Sequence, residues 1–258
     1  MHAQAVGVTR LTACSDAESV AQRAAAHIAR QLRSAREQRG VAHLALSGGT
    51  TPGRTYELLG GERRELEAVE VWFADERCVP PEDPESNYRL ASETLLAGGA
   101  IPARLVHRMH GEAGPEEGAR RYAEELVRRV PAHELGTPVP AGGGPAGPPL
   151  LDVIVLGIGP DGHVASLFPS AATLDAGGQA VCLGVTGAPK PPPERITLSL
   201  AVLRAARECV LLATGASKAD AVAAMLAQPS RHVPASLLRR ERLTVLVDDA
   251  AAPPGPPR

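Results

Sequence analysis

LDVIVLGIGPDGHVASLFPS, Leu151–Ser170, is the stretch on which the reading of this chain turns. Its apolar run Leu151–Leu156 matches a strand buried on both faces, the kind found in parallel sheets. The run ends in a glycine-rich turn (Gly157, Gly159, Gly162) that delivers one histidine, His163. Ligands of open α/β sheets gather where strands end and loops begin, and a histidine placed there is a candidate acid or base near neutral pH. Asp161, two residues earlier, can accept a proton from one ring nitrogen, orient the ring and raise its basicity. The other nitrogen is then left to activate water. A histidine in such a turn can equally do no more than satisfy local backbone groups.

The same glycines spell G-x-G-x-x-G, the dinucleotide fingerprint, with Asp175 near the place of a ribose-binding acid. The surroundings do not fit. A dinucleotide unit needs a helix of about ten or more residues after the last glycine, then a second strand ending in the acid. Here Pro169 stops the chain early, and Asp175 precedes the next apolar run, Val181–Val185.

Working outward, strands and helices alternate, which predicts an α/β fold with a largely parallel sheet flanked by helices, doubly wound and Rossmann-like. A first helix is expected over Ser15–Arg39. Ser15 and Glu18 form a capping box, Val20, Ala24, Ile28, Leu32 and Ala35 form a stripe, and Gly40 supplies the stop. Strands are expected at Val41–Leu46, Val69–Ala74, Ile196–Leu200, Val210–Thr214 and Leu243–Val247. Helices are expected from Pro52, from a Ser86 cap to Leu96, over Pro115–Val130 and over Ala219–Ala227. Gly136–Leu150 carries five glycines, five prolines and no charge, and reads as a surface insertion rather than a linker. The expectation is one domain over residues 1–250, with residues 251–258 a disordered tail.

Composition removes several function classes. The 27 basic and 29 acidic residues nearly cancel, and there are only six aromatics. Neither a basic footprint nor a stacking platform for nucleic acid is present. No apolar run approaches the ~20 residues that cross a bilayer. The start, MHAQAVGVTRLTAC, lacks a basic head followed by an apolar signal core, so a cytoplasmic protein is expected. Cys14, Cys78, Cys182 and Cys209 form no CxxC pair, and read as small hydrophobes rather than zinc ligands or a disulfide framework. Of the 27 basic residues 25 are arginine, which singles out Lys218 in a chain that rarely chooses lysine.

Further chemistry is expected at strand ends. Ser47-Gly48-Gly49-Thr50-Thr51-Pro52 follows one strand and precedes one helix, a place where amides, hydroxyls and a helix dipole suit an anion. An ordinary strand–helix turn has the same composition. Asp75-Glu76-Arg77 leaves the strand VEVWFA on the same rim, and Arg77 can recognise a phosphate or carboxylate. Lys218 opens a helix and suits an anion there. Arg195 opens the strand Ile196–Leu200, the wrong edge for a parallel strand. Either that strand is antiparallel or the loop Ala188–Glu194 curls back over the site.

Taken together, ALSGGTTP, VWFADERCVPPEDPESNYRL, LDVIVLGIGPDGHVASLFP, PERITLSL and ATGASKADAV resemble the 6-phosphogluconolactonase family, in order and spacing. The resemblance implies a fold shared with glucosamine-6-phosphate deaminases and ribose-5-phosphate isomerases. It implies hydrolysis of 6-phospho-D-glucono-1,5-lactone in the oxidative pentose phosphate pathway, with no metal or organic cofactor. It makes a sugar-phosphate lactone the partner, with no nucleic acid and no membrane. Ser47, Gly48, Gly49, Thr50, Asp75 and Gly159 would then line the substrate pocket, and Arg77, Arg195 and Lys218 would supply cationic contacts. His163, oriented by Asp161, would be the base, and turn amides or Arg77 would stabilise the oxyanion. Deaminase-like relatives continue the histidine turn as A-F-N-E-P, with a glutamate for proton transfer. This chain has Ala165-Ser166-Leu167-Phe168-Pro169. The change removes a carboxylate that isomerisation needs and lactone opening does not. The rivals are an isomerase or deaminase on the same scaffold, and a non-catalytic sugar-phosphate sensor, which would not need His163.

Overall fold

The structure is a computed structural model that describes residues 3–6, 9–132, 147–177 and 179–253. In chain order the elements are β1 (Ala3–Val6), β2 (Thr9–Cys14), α1 (Ala17–Arg39), β3 (Ala42–Leu46), α2 (Thr50–Gly61), β4 (Val69–Phe73), β5 (Asp75–Arg77) and α3 (Asn87–Glu93). There follow α4 (Pro115–Arg129), β6 (Val153–Gly157), β7 (Cys182–Val185), β8 (Arg195–Leu198), α5 (Leu200–Ala205), β9 (Glu208–Ala213), α6 (Ala219–Leu226) and β10 (Leu243–Asp248). Most of the predicted insertion, and the end of the predicted tail, lie outside the described residues.

The main sheet has the order β1-β2-β10-β9-β6-β3-β4, and every pairing in it is parallel except β1 with β2. β6 lies between β3 and β9, which explains its unbroken apolar run: Val153–Leu156 are fully buried. From β3 the chain winds out through α2 to β4, then returns to β6 on the other side of β3. The strand order therefore reverses between β3 and β6, and the carboxyl ends of these two strands flank the crevice where an open α/β sheet binds ligands.

α1 buries the predicted stripe, with Val20, Ala24, Ile28 and Leu32 fully inaccessible. Each large aliphatic among them contributes about 1.5–3 kcal/mol of transfer free energy. Its cap differs from the expectation. Asp16, not Ser15, accepts from the Ser19 amide, and Gly40 closes the helix in the left-handed conformation at φ 78°. Both β1 and β2 lie outside the predicted strands, because TRLTAC has a weak apolar pattern and is buried by pairing with β10.

A second sheet, order β5-β8-β7, is antiparallel. Asp75-Glu76-Arg77, which leaves the end of β4, is its first strand. Ala74 is the junction: its amide donates to Leu46 O in the main sheet and its carbonyl accepts from Leu198 N in the second. β8 runs antiparallel with Arg195 opposite Arg77, so the awkward edge position disappears. After Gly162 there is no long helix, and Asp175 pairs with Arg231 at the surface, which removes the dinucleotide reading.

Candidate active site

A cleft of about 480 Å³ opens at the carboxyl ends of β3, β6 and β9. Ser47, Gly48, Gly49, Thr50, Asp75, Arg77, Gly159, His163, Arg195 and Lys218 all line it. Of the predicted site residues only Asp161 is not on its wall, and Asp161 is bonded to His163.

The glycine loop after β3 is held from behind. The buried Tyr56 hydroxyl donates to Ser47 O (2.8 Å) and accepts from Ser47 N (3.0 Å). The Ser47 hydroxyl is buried and has no hydrogen-bond partner among the described residues. A Cβ on Gly48 would overlap the Asn87 side-chain amide, and Gly49 turns at φ 118° into α2. No side chain caps α2, so its first amides carry donors and the positive end of the helix dipole toward the cleft.

The loop after β6 builds the histidine. Gly159 N donates to His163 O (2.9 Å), and Gly162 closes the turn at φ 82°. A side chain at Gly159 would overlap both His163 Nδ1 and Asp161 Oδ1. Those two atoms are 2.5 Å apart. Burial lowers the His163 imidazole below its ordinary value of 6.5, against the opposing pull of Asp161. Burial pushes the Asp161 carboxyl up, but the hydrogen bond and charge of His163 outweigh it and leave the group below its ordinary value. At pH 7 the pair is therefore a carboxylate and a neutral ring. The carboxylate requires a proton on Nδ1, which leaves the Nε2 lone pair free to accept one. The Phe168 ring supports the imidazole at 4.8 Å between centroids.

The rim comes from β5 and α3. Both Asp75 oxygens are engaged: Asn87 Nδ2 donates to one (3.1 Å) and Ser166 Oγ to the other (2.8 Å). Ser166, at the start of the departure from the deaminase pattern, thus fixes a carboxylate of the wall. Glu76 faces inward and accepts from the amides of Arg77, Asn87 and Tyr88, so it is an anchor for α3. Arg77 bonds Glu85 at the surface side of the cleft. Arg195 is buried, with its guanidinium 5.7 Å from the Phe168 centroid. Burial, then the charge of neighbouring Lys190, lowers the Lys218 ammonium, which has no ion-pair partner among the described residues.

The sequence reading missed Lys190, Asn87 and Thr214, all of which line the cleft. Thr51 and Thr214 join its two sides through a 2.6 Å hydroxyl contact. One signal was present: the chain has two lysines, and both stand in this cleft. Among the described residues no group of three or more His, Cys, Asp and Glu is arranged to hold a metal ion. The four cysteines are free thiols.

Residues 15–247 match the family model described as glucosamine-6-phosphate isomerases/6-phosphogluconolactonase. A 6-phosphogluconolactonase of Streptomyces coelicolor is 38% identical over 249 residues, covering 92% of this chain and 91% of that protein. The solved 6-phosphogluconolactonase of Trypanosoma brucei superposes with a TM-score of 0.79 at 30% identity, covering 93% of this chain and 96% of the other. A monomeric glucosamine-6-phosphate deaminase superposes with a TM-score of 0.71 at 22% identity over 93% of this chain and 98% of its own, a likeness of fold alone. The chain belongs to the glucosamine-6-phosphate isomerase/6-phosphogluconolactonase family.

Proposed function

We propose that this chain is a lactone hydrolase that opens 6-phospho-D-glucono-1,5-lactone to 6-phospho-D-gluconate. The observation that carries the reading is the neutral His163 held by Asp161 at the wall of a cationic cleft, with Phe168 beside the ring. Nε2 takes a proton from water as the hydroxide oxygen bonds to C1. Turn amides and Arg77 meet the negative charge that develops on the carbonyl oxygen. Collapse breaks the bond between C1 and the ring oxygen, and the imidazolium returns its proton to that oxygen. The ring opens to a hydroxyl and a carboxylic acid, which releases its proton to solvent at neutral pH. Ser47, Gly48, Gly49, Thr50 and Asp75 line the substrate, and Arg77, Arg195 and Lys218 make the wall positive for its phosphate.

Aldose–ketose isomerisation is disfavoured because Leu167 and Phe168 stand where a proton-transferring carboxylate is needed, and both are buried. A sensor is disfavoured because anion binding alone does not call for the His163–Asp161 pair. We read the described residues as one domain, because one hydrophobic cluster joins Ile196 and Leu198 of the second sheet to Phe73 and Leu156 of the first. Among the described residues no helix is long and apolar enough to cross a membrane. A phosphorylated sugar does not pass a bilayer unaided, so we place the reaction where such sugars are made, in the oxidative pentose phosphate pathway of the cytoplasm.

The test is the rate of lactone opening, with substrate generated in situ, spontaneous hydrolysis subtracted, and glucosamine 6-phosphate run in parallel. Acceleration that scales with protein is expected. His163→Ala should lose on the order of 10²–10⁴-fold in kcat, the contribution of a general base, with KM little changed. Ammonia release from the amino sugar without lactone opening would move the chain to the deaminase branch. A His163→Ala variant with near-wild-type turnover would remove the histidine from the mechanism.

A further inference from the structure

The Arg195 guanidinium lines the cleft, yet most of its donors point away from any substrate. Nε donates to Pro192 O (3.0 Å), and Nη2 donates to Lys190 O (3.0 Å) and Pro191 O (3.1 Å). Among the described residues no carboxylate pairs with it. The segment it holds is Pro-Lys-Pro-Pro-Pro, residues 189–193, and four of these five residues have no amide hydrogen. Such a segment cannot organise itself by its own ladder, and its carbonyls must find donors elsewhere. One guanidinium supplies three consecutive ones. The ends of the segment are tied as well: Ala188 N donates to Pro193 O (2.9 Å) and Cys78 N to Glu194 O (3.0 Å).

The held segment presents Lys190. Its Nζ is 3.7 Å from Asp161 Oδ1, the same oxygen that bonds His163 Nδ1. We propose that Arg195 is a positioning residue that clamps the proline segment, and that the clamp seats Lys190 as a further active-site cation on the carboxylate that orients His163. The inference rests on the lactonase reading of this cleft and gives Arg195 a task other than direct substrate binding. Seated there, Lys190 shares the Asp161 charge with the ring, which keeps the ring neutral, and it stands on the wall of the cleft. The charged groups acting on His163 are Asp161, Lys190 and Asp75, with Lys218 acting on Asp161 and Lys190 from the turn before α6. Of these Lys190 opposes protonation of the ring and the two aspartates favour it.

The experiment follows the His163 imidazole by NMR titration, beside steady-state lactone opening, in four variants: Lys190→Ala, Lys190→Arg, Arg195→Lys and the double variant Lys190→Ala/Arg195→Lys. In Lys190→Ala the ring should titrate at higher pH, and kcat/KM should fall on the order of tenfold, the size of one charge-assisted contact. Lys190→Arg should restore both. Arg195→Lys keeps the positive charge but not the fork, so it should reproduce the upward titration. The double variant should be no worse than the poorer single. Losses that multiply, or an Arg195→Lys enzyme with a raised KM and an unmoved titration, would make Arg195 a substrate ligand and overturn the clamp. Should Arg195→Lys fail to fold, Lys190→Ala decides alone, since that side chain is half-exposed: an unmoved titration with unchanged turnover overturns the proposal. The titration needs no turnover. A chain that opens no lactone therefore refutes the proposed function while the clamp is still read from the ring.

Discussion

Asp161→Asn is the most discriminating substitution at the His163 pair. Asparagine preserves the shape, and with its amide oxygen turned to accept from Nδ1 the tautomer is kept and only the charge is lost. The contact removed is a 2.5 Å charge-assisted hydrogen bond. Such bonds contribute about 1.5–3 kcal/mol, which corresponds to about 10–150-fold in rate. The Asp161 side chain is 33% exposed, and solvent screening places the expected loss in kcat/KM near the lower end of that range. The pH dependence fixes the sign. Burial lowers the His163 pKa and Asp161 raises it, so removing the carboxylate lowers it further. The acid limb of kcat/KM, which reports the base in the free enzyme, should move to lower pH, away from the shift expected for Lys190→Ala. The assay is initial-rate lactone opening between about pH 5 and 8, with the spontaneous rate subtracted at each pH. Activity within twofold of wild type together with an unmoved acid limb would refute the reasoning, because the pair would then make no difference to the ring.

Two further outcomes test how the loops are held. Tyr56→Phe strips a buried amide and a buried carbonyl of Ser47 of their common partner and should cost about 1–3 kcal/mol of stability. At about 2–4 °C per kcal/mol for a chain of this size, thermal unfolding should show a fall of several degrees, and an unchanged Tm would mean that the loop finds other partners. Gly159→Ala places a methyl group on the atoms of the His163–Asp161 contact, so turnover should fall about as far as in Asp161→Asn or further. A circular dichroism spectrum like that of wild type would show that the loss is local, and full activity would show that the pair can separate without consequence.

Much of the architecture was legible because it is written in local pattern. The run Leu151–Leu156 could be read as a doubly covered strand, and the stripe of α1 as a helix face, because burial on each depends on spacing along one element. Ser86 and Pro115 marked helix starts for the same reason. The cap of α1 was misplaced by one residue, since Ser15 and Asp16 are both competent caps and only the chain's entry angle chooses between them. β2 was silent because its burial comes from β10, more than two hundred residues away.

In the site the division runs along chain connectivity. His163 and Asp161 sit two residues apart on a glycine turn, so their contact follows from local geometry and could be inferred from sequence by itself. So could the glycine loop at the head of α2. What tertiary structure decided are the contacts closed by strand order. The second sheet sets Arg195 opposite Arg77 and resolves a direction the sequence left open. Asn87 reaches Asp75, Ser166 reaches the same carboxylate across ninety-one residues, and Lys190 is brought to Asp161. A lone lysine in a proline segment carries no sign of where its ammonium ends up. Three carbonyls meet one buried guanidinium within five residues of it, and only the packing of the second sheet beside the first brings the held segment to Asp161.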